Sequence, residues 1–407
     1  MVDPKRTIEA IWRIESAHLI AALSRLLNDV GRAEEIAQDT FVTALETWLE
    51  AGVPPNPGAW LMTAAKHKAI DFIRREKVRE VKYALLDERQ ERDDDLLSLI
   101  FIACHPVLSQ ESRAALTLRL VCGLTTEEIA RAYLSPAATL GQRLSRAKRT
   151  LAEARVPFEV PREGELRVRL AAVLEVVYLV FNEGYAATSG ENWIRRDLAE
   201  EAMRLGRMLA GLLPREPEVH GLVALMELQA SRFPARFSPK GEPVLLPDQD
   251  RSRWDKTLIT HGLAALDRSI ALQRPLGPYA LQAAIAACHT RASSYAMTDW
   301  DAVLALYDAL LAVTPTPVVA LNRTVAVMEA VGAAAALEAI DALRNDPHLA
   351  RYHLYGAVRG EILQRLDQYE AAAEWLENAA SLAPTQRERR TFLERAAAAS
   401  EKATTRQ

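Results

Sequence analysis

The chain is poor in the residues that build sheets and covalent staples. Aromatic side chains make up 6% of its 407 residues, and no stretch alternates apolar and polar positions with a period of two. The half-buried strand of an antiparallel sheet therefore has no candidate. Cysteine occurs at Cys104, Cys122 and Cys288 alone. Three thiols so far apart exclude a disulfide framework and fit reduced, buried cysteines of a cytosolic protein. Cys104-His105 and Cys288-His289 are adjacent pairs, not ligands at zinc spacing, so neither a metal nor a cofactor is expected. No apolar run is long enough to span a bilayer, and MVDPKRTIEAIW lacks the apolar core of a signal peptide. A cytoplasmic location without a membrane partner is the expectation. An overall positive charge is missing too: the formal net charge is -4. That excludes a uniformly basic nucleic-acid binder but says nothing about local patches.

What is present is apolar (49%) and charged (26%) in globular proportion, with abundant Ala and Leu. The length suits two or three domains with ample core. The predicted fold class is all-α. The most informative stretch is Leu124–Leu151. Thr125 and Glu128 form a capping box ahead of Ile129, Ala130, Tyr133 and Leu134. Ser135-Pro136 then reads as an N-cap followed by proline at the first helical position. The next helix places Leu140, Leu144, Ala147 and Leu151 on an inner face. Gln142, Arg143, Ser145, Arg146, Lys148 and Arg149 lie largely off it. A short helix, a brief turn and a longer basic helix make the helix-turn-helix pattern, whose second helix enters a DNA major groove. The alternative is a helical hairpin with a solvated basic face.

Upstream, Thr7–Leu27 reads as an amphipathic helix, Asn28–Gly31 as a turn, and the stretch from Arg32 to Leu49 as a second helix. Glu34, Glu35, Gln38 and Asp39 cluster in its N-terminal half, which suits either the helix dipole or docking of a basic partner. Asn56 caps and Pro57 opens a third helix running to about Lys77, with Trp60, Leu61, Ala64, Ile70 and Ile73 inward. Lys66, His67, Lys68, Arg74, Arg75 and Lys77 fall on another side. Asp87–Asp95 carries six acids against two bases and predicts a flexible linker. Leu96–Phe101 resumes a helix, and another leads through Gly123 into the helix-turn-helix.

In this order the chain resembles the extracytoplasmic-function (ECF) sigma factors of the sigma-70 family. DVGRAEEIAQDTFVTAL with NPGAWLMTAAKHKAIDFIRRE is similar to sigma region 2, and HPVLSQESRAALTLRLVCGLTTEEIARAYLSPAATLGQRLSRAKRTL to region 4. The resemblance implies that core RNA polymerase docks on Glu34, Glu35, Gln38, Asp39 and Phe41. It implies contacts to the -10 element from Asn56, Trp60, Lys66, His67, Lys68, Arg74 and Arg75, with Trp60 either core or a stacking platform. It implies contacts to the -35 duplex from Arg143 and Arg146, with Thr139, Gln142, Lys148 and Arg149 beside them. Promoter DNA and core polymerase are thus the implied partners, and the acidic linker would thread a channel otherwise used by RNA or serve as a tether. The expected divisions are 1–82 (region 2), 83–100 (linker), 101–156 (region 4), 157–285 (first part of an extension) and 286–400 (repeats).

ECF factors usually end soon after region 4, whereas this chain continues past Val156. Leu166–Phe181 reads as an apolar helix that ends in a loop, FNEGYAATSG. Asp197 reads as the cap of a helix to about Leu213. Arg232–Trp254 is a long polar loop, whose VLLPDQDRSRW segment is patterned to fold back on the helices. Trp300 and Pro315 recur as Tyr369 and Pro384 at an offset of 69, with Val303/Ala372, Leu310/Ala379 and Val313/Leu382 between. Gly360, Ala372, Ala379 and Pro384 fall where tetratricopeptide-like (TPR-like) repeats place small residues and proline. Such arrays stack into a surface for a protein or peptide, or serve as a structural solenoid. The resemblance further implies regulation of the sigma modules in cis. Two other readings are weighed. A polymerase-independent helix-turn-helix regulator leaves the region 2 match unexplained. An enzyme using Tyr185, Glu183 and His220 or His289 lacks a nucleophile and base at suggestive spacing, so no catalytic residue is assigned.

Overall fold

The computed structural model describes residues 4–75, 88–133, 135–186, 194–236, 238, 244–384 and 386–406. Among these there are α-helices and short 3-10 turns but no strand, as the all-α reading requires. The chain divides into two compact units, Met1–Pro214 and Arg215–Gln407. That division falls 58 residues beyond the end expected for region 4 at Val156, so the first two helices of the extension belong with the sigma modules.

The first unit begins with α1 (Pro4–Leu27), α2 (Val30–Ala51) and α3 (Pro57–Arg75). Ile8, Leu19 and Leu23 of α1, Ala37, Ala44 and Trp48 of α2, and Leu61, Ala65 and Ala69 of α3 are buried. The buried stripe of α3 is narrower than predicted: Trp60, Ala64, Ile70 and Ile73 are only half-buried. Asp29 accepts from the Gly31 and Arg32 N–H groups at 2.8 and 3.0 Å. This cap starts α2 at Val30, so residues expected in a turn are helical. Asn56 caps α3 as expected, accepting from Ala59 N–H at 3.1 Å.

Next comes α4 (Glu88–Ala103), and here the expectation of a flexible acidic linker is corrected. Its Asp95 is buried and faces Arg25 of α1 at 3.4 Å. Leu96, Leu97, Leu99, Ile100, Phe101 and Ile102 are buried, and their packing carries the helix back through the charged run, whose Glu, Gln and Arg residues are good helix formers. Residues 76–87, including Lys77 and the start of the linker, lie outside the described residues.

Helices α5 (Gln110–Leu120), α6 (Thr126–Ala132) and α7 (Ala137–Glu153) follow. Both bonds of the Thr125–Glu128 capping box are present, and Leu140, Leu144, Ala147 and Leu151 are all buried. One detail differs: Pro136, not Ser135, occupies the N-cap of α7, with no side-chain cap bond. Two longer helices, α8 (Glu163–Ala186) and α9 (Ile194–Leu212), close the unit. FNEGYA is the last part of α8 rather than a loop, because buried Phe181 stacks on Tyr185 with ring centroids 5.6 Å apart. Thr188, Ser189 and Gly190 lie outside the described residues. Asp197 sits inside the first turn of α9 rather than capping it.

The second unit contains α10 (Pro217–Ala230), α11 (Lys256–Ala271), α12 (Pro278–Arg291), α13 (Trp300–Val313) and α14 (Pro317–Ala330). After them come α15 (Ala333–Asp341), α16 (His353–Arg365), α17 (Tyr369–Leu382) and α18 (Gln386–Arg406). Helices α13 and α17 each have 14 residues and begin and end at the positions related by the sequence offset. Val303, Leu310, Ala372 and Ala379 are buried as paired core positions, whereas Val313 is exposed. Small residues let neighbouring helices approach closely. A Cβ at Gly356 would stand 2.9 Å from the Trp375 carbonyl, and one at Gly360 would stand 2.8 Å from Leu376 Cγ. These features make the second unit a TPR-like helical repeat. Its polar loop does fold back: Arg251 donates to the carbonyls of His289 and Ala292, the latter at 2.7 Å, at the C-terminal end of α12. A guanidinium there satisfies orphan carbonyls and suits the helix dipole.

Candidate nucleic-acid interface

The helix-turn-helix presents a narrower face than the basic residues of its sequence suggest. Because Leu140, Leu144, Ala147 and Leu151 are buried, Thr139, Gln142, Arg146 and Arg149 point to solvent on the opposite side of α7. Three- and four-residue spacings put these four side chains in one stripe. Arg143 and Lys148 lie on opposite flanks and are half-buried. The Arg143 flank adjoins Tyr133 at the end of α6. Burial, and then the Glu183 carboxylate of α8, push the Tyr133 phenol up, while Arg143 pulls it down. On the other flank, Lys148 Nζ donates to Glu34 Oε2 of α2 at 2.9 Å. Of the six residues expected at the -35 element, the structure thus gathers four on one open face and directs Lys148 into an intramolecular ion pair.

On α3, Lys66, His67 and Arg74 are exposed, and Asn56 stands in the loop before it. Lys68 is directed elsewhere. Its ammonium donates to the Asp39 carbonyl at 2.8 Å and to Thr43 Oγ1 at 2.9 Å, tying α3 to α2. Trp60 packs edge-on against buried Trp48 with ring centroids 5.2 Å apart. It is a core-flanking ring that remains half-buried. Arg75 is the last residue of α3.

The expected docking set on α2 is split. Glu35 and Asp39 are exposed, with Glu35 2.8 Å from Arg32. Phe41 stacks on Trp12 of α1 at a centroid distance of 4.6 Å. Glu34 is 4% exposed and held by two cations. Its Oε1 accepts from Arg119 Nε at 2.7 Å and from Gln38 Nε2 at 2.6 Å, while Oε2 takes Lys148. Nothing in the sequence near Arg119 marks it as a partner of Glu34. The 85 residues between it and Glu34 leave no local signal.

Helices α8 and α9 brace α4 to α6. Gln110 Nε2 donates to Glu175 Oε1 at 3.1 Å, and Arg113 lies 3.5 Å from the other oxygen of that carboxylate. Burial pushes the Cys122 thiol up to about 12 despite Arg204 of α9 beside it. Burial likewise raises Cys104 to about 11, against its contact with the Thr117 hydroxyl. Both cysteines are therefore packing groups, not nucleophiles. Among the described residues, no helix is long and apolar enough to cross a membrane.

Family models match three stretches of the chain. Residues 13–79 match the family described as Sigma-70 region 2, and residues 98–151 match Sigma-70, region 4. Residues 169–270 match a family of unknown function, DUF6596. An uncharacterized protein of Rhizobium meliloti (strain 1021) is 41% identical over 380 residues, 89% of each chain. The probable ECF RNA polymerase sigma factor SigI of Mycobacterium tuberculosis (strain ATCC 25618 / H37Rv) is 26% identical over 38% of this chain and 57% of its own. The ECF RNA polymerase sigma factor SigK of Mycobacterium sp. (strain KMS) is 28% identical over 33% of this chain and 76% of its own. The crystal structure of yeast Tom70 aligns over 91% of this chain and 80% of its own at a TM-score of 0.34 and 12% identity, too low to bear on the fold. With both sigma modules matched in order and a helical-repeat extension behind them, the chain belongs to the sigma-70 family, in the ECF group of RNA polymerase sigma factors.

Proposed function

We propose that this sigma factor binds core RNA polymerase through α2, recognises the -10 element with the Asn56 loop and α3, and reads the -35 element with α7 in the major groove. The observation that carries the reading is the stripe of Thr139, Gln142, Arg146 and Arg149 on the solvent side of a helix whose other side is wholly packed. A helix anchored in this way meets base edges as a rigid body. Arg146 suits bidentate contact with guanine and Gln142 with adenine, while Arg149 is placed for a phosphate. Exposed Lys66 and Arg74, with His67 beside them, offer a cationic track for an unpaired strand. Exposed Glu35 and Asp39 offer the acidic face for a basic polymerase surface. The repeat unit acts in cis on the sigma modules and takes a protein or peptide partner. On this reading the protein performs no covalent chemistry.

The test is transcription in vitro with core polymerase and the full chain. Promoter-specific initiation that disappears when the chain is omitted is the expected result. Specific duplex binding by the chain alone, without initiation in the presence of core polymerase, would replace this reading with that of a polymerase-independent regulator.

A further inference from the structure

We propose that Glu34 is an intramolecular latch, which in the free chain holds the polymerase-docking side of α2 closed against the -35 helix α7. The inference rests on the functional reading above and adds the regulation of those same surfaces.

Four observations converge on it. Both oxygens of a carboxylate that is 4% exposed are engaged from the region 4 side, by Arg119 of α5 at 2.7 Å and Lys148 of α7 at 2.9 Å. Arg119 is itself fixed, donating from Nη1 to the Leu124 carbonyl at 3.0 Å. A second link joins Arg13 of α1 to Glu128 of α6 at 2.5 Å. Finally, Gly123 has φ +69, and a Cβ there would stand 3.0 Å from Ser16 Oγ, so the loop before the helix-turn-helix lies tightly on α1.

Charge and geometry together give this contact its meaning. A buried carboxylate is stable only while its cations stay in place. Here they come from the module that must leave. The -10 and -35 elements are roughly 25 base pairs apart, on the order of 80 Å of duplex at 3.4 Å per step. Modules joined by ion pairs of 2.7 and 2.9 Å cannot reach both elements at once. Reading a promoter therefore requires Glu34 to give up Arg119 and Lys148. Lys148, neutralised in the closed form, becomes free for a phosphate in the open one. A basic polymerase surface competes directly, because it offers Glu34 replacement cations.

The experiment uses the full chain with Arg119→Glu, a residue outside the proposed DNA and polymerase contacts. Fluorophores are placed at Val42→Cys on α2 and Ser145→Cys on α7, both exposed positions, in a Cys288→Ser background. Arg119→Glu should lengthen the label separation in the isolated chain and tighten binding to core polymerase about tenfold, roughly 1.4 kcal/mol. Arg119→Lys should remain closed. Arg13→Ala, whose side chain is 53% exposed, should give a smaller opening and covers the case in which Arg119→Glu fails to fold. An unchanged label distance in both variants would overturn the latch, whatever polymerase does. Opening without tighter polymerase binding would overturn the competition between closure and docking. If the wild-type chain stays closed and Arg119→Glu and Arg13→Ala open as expected but none binds polymerase, the sigma reading fails and the latch stands.

Discussion

Arg169 of α8 donates from Nη2 to the main-chain carbonyl of Phe101 in α4 at 2.9 Å, and its guanidinium also lies 6.0 Å from the Phe101 ring centroid. The first helix of the extension is thus part of the structure that supports the helix-turn-helix. Truncation after Val156 should remove the packing of α8 and α9 and leave α4 to α6 unstable. Truncation after Pro214 should preserve them. Thermal unfolding followed by circular dichroism checks this: the longer fragment should melt cooperatively and the shorter one should lose cooperativity or aggregate. Arg169→Ala in the full chain should cost about 1 kcal/mol, the usual net value of one such hydrogen bond. A shorter fragment as stable as the longer one would show that region 4 needs no brace.

Much of this arrangement is legible in the sequence, and what is not has physical causes. Local rules located the Thr125–Glu128 capping box and the Leu140, Leu144, Ala147, Leu151 stripe, since caps and periodicity are short-range. The offset of 69 between Trp300 and Tyr369 relates the starts of α13 and α17, because a repeated packing unit repeats its boundaries. Composition misled at Glu88–Asp95. High charge signals disorder only when nothing apolar follows, and Leu96–Ile102 supplies the burial that orders this segment. FNEGYA looked like a turn by its Asn and Gly, but Phe181 and Tyr185 packing overrides that propensity. The Glu34–Lys148 contact spans 114 residues, and no spacing rule announces such a pair.

The stripe on α7 makes the residues proposed for the -35 element unequal. Arg146→Ala should cost about 1–3 kcal/mol of promoter binding and relax preference at one base position, as expected for a side chain on a base edge. Arg149→Ala should weaken binding across sequences and lower its salt dependence, as for a phosphate contact. Arg143→Ala should have the smallest effect of the three, because that side chain lies half-buried on the flank. Initiation assays on promoters with single -35 substitutions, over a range of salt, separate these outcomes. A dominant effect of Arg143→Ala would reverse the assignment.

Close helix contacts in the second unit make its glycines unequal too. A Cβ at Gly221 would stand 2.6 Å from the backbone nitrogen of Ala280 in α12, whereas at Gly360 the nearest atom belongs to the flexible Leu376 side chain at 2.8 Å. Backbone cannot yield as a leucine can. Gly221→Ala should therefore destabilise by about 1–3 kcal/mol, the range for overpacking, and Gly360→Ala by less. Thermal melts of the full-chain variants check the order, and equal losses would mean that α10 and α12 separate easily.

His289 should give the repeat unit a pH response. Burial first, then the positive charges of Arg232 and Arg251, lower its pKa to about 4, against about 6.5 in the unfolded chain. Its ring lies edge-on to Trp300, with centroids 5.3 Å apart. A histidine depressed in the folded state binds fewer protons there than when unfolded. Stability therefore rises with pH through this window and is lost as pH falls from about 6.5 toward 4. The loss reaches at most about 3 kcal/mol, from 1.36 kcal/mol per pKa unit. His289→Phe, which keeps an aromatic ring against Trp300 but cannot take a proton, should remove this contribution to the pH dependence. Urea midpoints of the wild type and His289→Phe, measured from pH 7 to pH 4, give the comparison. Parallel curves would show that acid acts on other groups and that His289 is not the one that titrates.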